Sequence, residues 1–108
     1  MNFYQKGGSE YLFVCDLFKE LRKKSNLSQA DAANHIGVNQ SFISKFENGH
    51  TGIDLFDALA LLDLYGIDHV DFFYMLDQFK KRRLEKVLYS TTFYQEAKPN
   101  YSKSLSLD

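Results

Sequence analysis

The sequence predicts an all-α protein of five helices, the fifth extended, followed by an irregular C-terminal tail. Three observations carry this. Apolar residues recur at helical spacing from about Ser9 to Leu88, and glycines such as Gly37, Gly49 and Gly66 fall between the periodic stretches. No segment between the glycines reads as a strand. A length of 108 residues suits one domain with one modest core. The expected division is a helical domain over 1–90 and a polar tail over 91–108.

The first helix is expected from about Ser9 to Lys24, with Phe13, Leu17, Leu21 and partly Val14 and Phe18 on its inner face. Basic residues in its last turn suit the helix dipole. The second begins at the N-cap candidate Ser28, turns Ala32, Ala33 and Ile36 inward, and stops at Gly37. The third follows the N-cap candidate Asn39, buries Ile43 and Phe46, and ends at Asn48-Gly49. The fourth, capped by Asp54, carries Leu55, Ala58, Leu59, Leu61 and Leu62 to Tyr65 before Gly66. The fifth, capped by Asp68, spaces Phe72, Phe73, Leu76 and Phe79 for burial and runs on through a basic stretch to Leu84, Val87 and Leu88. From about Ser90 the pattern gives way to a polar tail, with a short extended piece expected near Tyr101 to Leu107.

Composition bounds the possible functions. The chain is 44% hydrophobic and 25% charged, which suits a globular domain, and no apolar run approaches the roughly 20 residues that span a bilayer. The start lacks the order of regions found in a signal peptide, so a cytoplasmic location is expected. Cys15 has no second cysteine to pair with and reads as a small buried hydrophobe. His35, His50 and His69 show no metal-ligand spacing, and there is no phosphate loop and no nucleophile with a recognisable base. Neither an enzyme nor a cofactor or metal site is expected.

Net charge is -1, which by itself does not point to nucleic acid. The distribution is more informative. Asp54, Asp57, Asp63, Asp68, Asp71 and Asp77 fall in a stretch without Lys or Arg. Basic residues gather at Lys19, Arg22, Lys23 and Lys24, and again at Lys80, Lys81, Arg82, Arg83 and Lys86. Such segregation can present a positive face to phosphates, and equally it can be solvated helix surface.

The second and third helices are short and joined by a turn centred on Gly37, where glycine accepts a left-handed backbone. Ala33, Val38 and Ile43 are placed to pack the two helices together. A helix of about two turns held in this way can project its N-terminal side chains into the major groove of B-DNA, which is wide enough for one helix. Among the exposed side chains, Gln can pair with adenine, Lys with guanine, and Ser with several groups.

With its elements LR, LSQ, AA, GV, IS and ENG in order, the segment LRKKSNLSQADAANHIGVNQSFISKFENG resembles the Cro and lambda-repressor type of helix-turn-helix, the Xre family. The resemblance covers roughly Leu17 to Leu76. It implies a compact five-helix DNA-binding domain of lambda-repressor type. Ala32 departs from it, because a large aliphatic residue is usual there; Phe13, Phe18 or Phe46 could fill the space.

Residue by residue, the resemblance implies base contacts from Gln40, Ser41, Ser44 and Lys45. It implies phosphate contacts from Gln29, from Asn39, and from Asn48, His50 and Thr51 in the following loop. Arg22 and Glu47 match a structural ion pair tying the first helix to the recognition helix. Phe42 is placed either to meet a thymine methyl or to pack against the first helix, and packing is the favoured reading.

Beyond Phe79 the apolar residues Leu84, Val87, Leu88, Phe93 and Tyr94 are too many to leave in water, and a dimer or partner surface at Leu84, Val87 and Leu88 accounts for them. The leading expectation is a homodimeric repressor reading a two-fold operator in double-stranded DNA with the helix from Gln40 to Asn48, and the resemblance implies a bacterium, phage or mobile element as its host. The alternative is an antitoxin-like module that binds a small protein partner as well as its own operator.

Overall fold

The computed structural model describes residues 7–88, with side chains as far as Lys86. Five helices appear in order: α1 Ser9–Lys24, α2 Gln29–Ile36, α3 Gln40–Glu47, α4 Leu55–Leu64 and α5 His69–Leu88. No strand occurs among the described residues. The tail over 91–108, with Phe93, Tyr94 and the extended piece expected near Tyr101, lies outside them, as do the side chains of Val87 and Leu88.

Local chemistry sets the boundaries. Ser28 accepts from the Asp31 N–H at 3.0 Å while the Ser28 N–H donates to the Asp31 carboxylate at 2.9 Å, a reciprocal cap on α2. The Ser28 backbone and hydroxyl bonds hold the Asp31 carboxyl below its ordinary pKa. Asp54 caps α4 by accepting from the amides of Phe56 and Asp57, and Asp68 accepts from Val70 N–H at the start of α5. Asn39 occupies the N-cap of α3 in extended conformation, but its side chain makes no capping bond. The cap expected of that side chain is therefore absent.

Gly37 ends α2 at φ 71°, the left-handed region. A Cβ there would meet nothing within 4 Å, so Gly37→Ala adds backbone strain without a clash. The expected cost is about 1–2 kcal/mol in thermal or urea unfolding, with Gly37→Asn costing less. Equal stability of Gly37→Ala and wild type would show that the turn relaxes to another geometry.

Helix α2 packs on α3 and α4, while α1 packs on α3 and α5. The core lies between these pairs. Phe18 is its centre, with Phe46, Tyr65 and Phe72 arranged edge-on around it at ring separations of 5.3, 6.5 and 5.4 Å. Ala32, Ala33, Cys15, Leu21, Ile43, Leu61 and Leu62 complete it. Burial also pushes the Tyr65 phenol up to about 12. Phe18 and Phe46 thus fill the core to which the small Ala32 belongs, and Phe13 stacks on Phe79 at 4.2 Å instead.

Several side chains face otherwise than their spacing suggested. In α1 the deepest residues are Glu10, Cys15, Phe18, Leu21 and Arg22, whereas Phe13 and Leu17 are half-buried. The cause is that α1 is covered on two sides, by α3 and by α5. In α4, Leu55 is 57% exposed because it opens the helix, ahead of the turns that pack on α2. In α5, Phe72 takes the inward position, and the 100° step of the helix turns Phe73 outward, leaving it 51% exposed.

Candidate nucleic-acid interface

The interface is assembled on a buried ion pair. Arg22 Nε donates to Glu47 Oε2 at 2.7 Å and Nη2 donates to Oε1 at 3.0 Å, a bidentate contact between α1 and the last turn of α3. Arg22 Nη1 also donates to the Leu27 carbonyl at 2.9 Å. The hydrogen bonds to Glu47 raise the guanidinium pKa above its ordinary value. Buried in this way, Arg22 adds nothing to the basic surface formed by the end of α1, where Lys23 and Lys24 remain exposed.

From Glu47 a chain of side-chain bonds runs outward. Gln29 Nε2 donates to Glu47 Oε1 at 3.1 Å, and Gln40 Nε2 donates to Gln29 Oε1 at 3.5 Å. A carboxylate can only accept, so Glu47 orients the Gln29 amide nitrogen toward itself. The Gln29 oxygen is then turned toward Gln40, which must answer with its nitrogen. The Gln40 oxygen remains as an outward acceptor. This relay is invisible to spacing, because it depends on the rotation of three amide and carboxylate planes.

Gln40, Ser41 and Lys45 are exposed on α3, and Ser44 is half-buried with its Oγ 3.5 Å from Asn48 Nδ2. Asn39 is exposed at the helix start. Phe42 is half-buried and packs against the core cluster. It forms one wall of an open cleft of about 470 Å³ with Gly37, Val38, Ser41, Lys45 and Thr51. Lys45 is the only Lys or Arg between Lys24 and Lys80. Most polar groups at this surface are therefore neutral.

The loop after α3 carries Asn48 and His50, both exposed, and Thr51, half-buried. Gly49 turns it at φ 79°, and a Cβ there would stand 2.7 Å from Leu12 Cδ2 of α1. His50 N–H donates back to the Lys45 carbonyl at 2.8 Å. The sequence reading missed Tyr11, whose hydroxyl donates to the Thr51 carbonyl. Burial, followed by the neighbouring Cys15, pushes the Tyr11 phenol up to about 12. The signal available for it was its place four residues before Cys15, on the stripe that continues to Phe18 and Arg22. With the Thr51 carbonyl held by Tyr11, the planar trans peptide turns the Gly52 N–H the opposite way.

Among the described residues no group of three or more His, Cys, Asp or Glu side chains could hold a metal ion. No helix among them is long and apolar enough to cross a membrane.

Two short helices joined at a left-handed glycine, the second with an exposed polar face, define a helix-turn-helix unit. Residues 18–72, just over half of the chain, match the helix-turn-helix family of the Cro and lambda-repressor type, and the chain belongs to it. The domain of this family is a DNA-binding regulatory one and is not typically enzymatic. No curated protein and no solved structure matches the chain.

Proposed function

We propose that this chain is a sequence-specific repressor that binds a two-fold operator as a homodimer, with α3 in the major groove. The observation that carries the reading is the relay from Glu47 through Gln29 to Gln40. It leaves the Gln40 amide with an outward oxygen acceptor and a second N–H, the pattern that pairs bidentately with adenine N6 and N7. Ser41 and Lys45, on the same exposed side, supply further base contacts, and Ser44 borders them. Gln29 retains one amide hydrogen for a phosphate. Asn39, at the start of α3, and Asn48, His50 and Thr51 in the following loop complete the phosphate anchors. With Lys45 as the one cation of α3, these anchors are mainly neutral donors. Affinity should therefore fall less steeply with salt than for a binder with many Lys and Arg contacts.

The test is binding to the DNA upstream of the protein's own gene, measured across salt for wild type, Gln40→Ala, Lys45→Ala and Gln29→Ala. Gln40→Ala is expected to lose about 1–3 kcal/mol of discrimination at one base position. Lys45→Ala should lose preference at another. Gln29→Ala should weaken binding to all sequences and also relax the preference read by Gln40, since nothing then orients that amide. If Gln29→Ala leaves the preference intact, the relay has no part in recognition and Gln29 only anchors phosphate. Wild type that binds random DNA as well as the upstream site, or binds neither, overturns the repressor reading.

A further inference from the structure

We propose that the cleft between α1 and α5 binds a small apolar monocarboxylic acid, with the carboxylate held at the Arg82 end. The two helices run antiparallel here, with Arg83 Nη1 3.4 Å from Glu10 Oε1 and Phe13 stacked on Phe79 at 4.2 Å. Beside that seam lies a cleft of about 390 Å³, within the range of small-molecule sites. Phe13 and Leu17 of α1 form one wall, and Tyr74, Met75, Gln78 and Arg82 of α5 form the other. A neighbouring cavity of about 310 Å³ is lined by Phe79, Arg82, Arg83 and Lys86, so Arg82 borders both.

The order of side chains along the α5 wall selects the ligand. Met75 is apolar and polarisable, Gln78 about one turn on is an amide, and Arg82 a further turn on is a guanidinium. The wall thus grades from apolar to cationic over about 10 Å of helix. Gln78 Nε2 is buried and has no hydrogen-bond partner among the described residues. A buried donor left unpaired costs stability, and the terminal torsion is soft enough to turn it toward an acceptor entering the cleft. No bond among the described residues is given up in that turn. Arg82 is exposed, and no carboxylate among the described residues pairs with it. Lys86 adds positive charge at the same end. A guanidinium can only donate, so its complement is an acceptor, and the charge here favours an anion. A carboxylate accepts from both Gln78 and Arg82 while its apolar body runs past Phe13 toward Leu17 and Met75. An inorganic anion would leave that apolar wall in water. The α1 wall also carries Tyr11 and Arg22, which hold the Thr51 carbonyl and Glu47, so the occupant lies against the helix that braces the interface.

The experiment titrates the full-length chain, without DNA, with octanoate as the probe and with 1-octanol and acetate as its neutral and bodiless counterparts. The chain has two methionines, Met1 and Met75, so methyl labelling places one NMR signal in the cleft and Met75→Leu assigns it. With octanoate the Met75 signal should shift and saturate, at a Kd no weaker than about 1 mM for a ligand of this size. Octanol and acetate should each bind at least about tenfold more weakly, since each lacks one half of the complement. Arg82→Gln and Gln78→Met should each weaken octanoate about tenfold, the worth of a hydrogen bond to a charged group, and leave octanol unchanged. Free Gln78→Met should melt no lower than wild type, because it replaces an unpaired donor with an apolar group of similar length. A Met75 shift that never saturates, octanol binding as tightly as octanoate, or an Arg82→Gln variant that binds like wild type would overturn the proposal. So would a lower melting point for Gln78→Met, which would give the amide a structural partner instead. None of these readouts depends on the repressor reading, so either can fail without the other.

Discussion

Phe18→Ala is expected to lower the free energy of unfolding by about 3–5 kcal/mol, the range for truncating a buried Phe. Phe18 is 1% exposed and touches aromatic rings from three other helical regions, at Phe46, Tyr65 and Phe72. Edge-on pairs of this kind add to the burial term, and the small neighbours Ala32 and Ala33 have no reach with which to fill the gap. Domains of this kind have about 5–15 kcal/mol in total, so the variant should sit near its unfolding threshold at room temperature. Urea unfolding followed by circular dichroism measures it. Phe56→Ala, at a residue 75% exposed, is the control and should shift stability by less than about 1 kcal/mol. A Phe18→Ala loss no larger than that of the control would mean that the aromatic cluster is not the centre of the core.

Glu47→Ala should be of similar size for a different reason. It strips Arg22 of both charge-assisted bonds and leaves the guanidinium in a site that excludes water, at an expected cost of about 3–5 kcal/mol. The informative comparison is the double variant Arg22→Met/Glu47→Leu. Replacing both partners by apolar side chains of similar volume removes the stranded charge, and stability should return to within about 1–2 kcal/mol of wild type. Recognition should not return with it, because Gln29 then has no carboxylate to fix its amide. Thermal unfolding and operator titration on the same three proteins separate these outcomes. A double variant with restored stability and full base preference would show that Gln40 needs no orientation from beneath.

Much of the fold could be read from residue types alone, and the exceptions share a cause. The limits of α2 and the end of α3 follow from Ser28, Gly37 and the Asn48-Gly49 pair, whose chemistry is local. The inward face of α1 does not follow in the same way. Phe13, Val14, Leu17, Phe18 and Leu21 offer apolar groups all around one side, and only the positions of α3 and α5 decide that Phe18 lies deepest. Phe73 was indistinguishable from Phe72 until the helix had a core to face. Within the interface, the amino-acid types at Gln40 and Lys45 suffice to suggest contact with bases. The orientation of Gln40 does not, since it is set by Glu47 from seven residues further along and by Gln29 from another helix. Tyr11 lies outside the two-helix unit altogether, and only tertiary packing brings its hydroxyl to Thr51.

The Arg22–Glu47 pair has a further consequence for the way the molecule comes apart. It joins the two ends of the segment that contains α2 and the whole of α3. The last turn of α3 cannot fray without exposing one charge and stranding the other in apolar surroundings. Opening confined to that turn is thereby made costly relative to opening the domain as a whole. Recognition helix and core then belong to one cooperative unit, so warming depletes the number of competent molecules before it blurs the selectivity of those that remain.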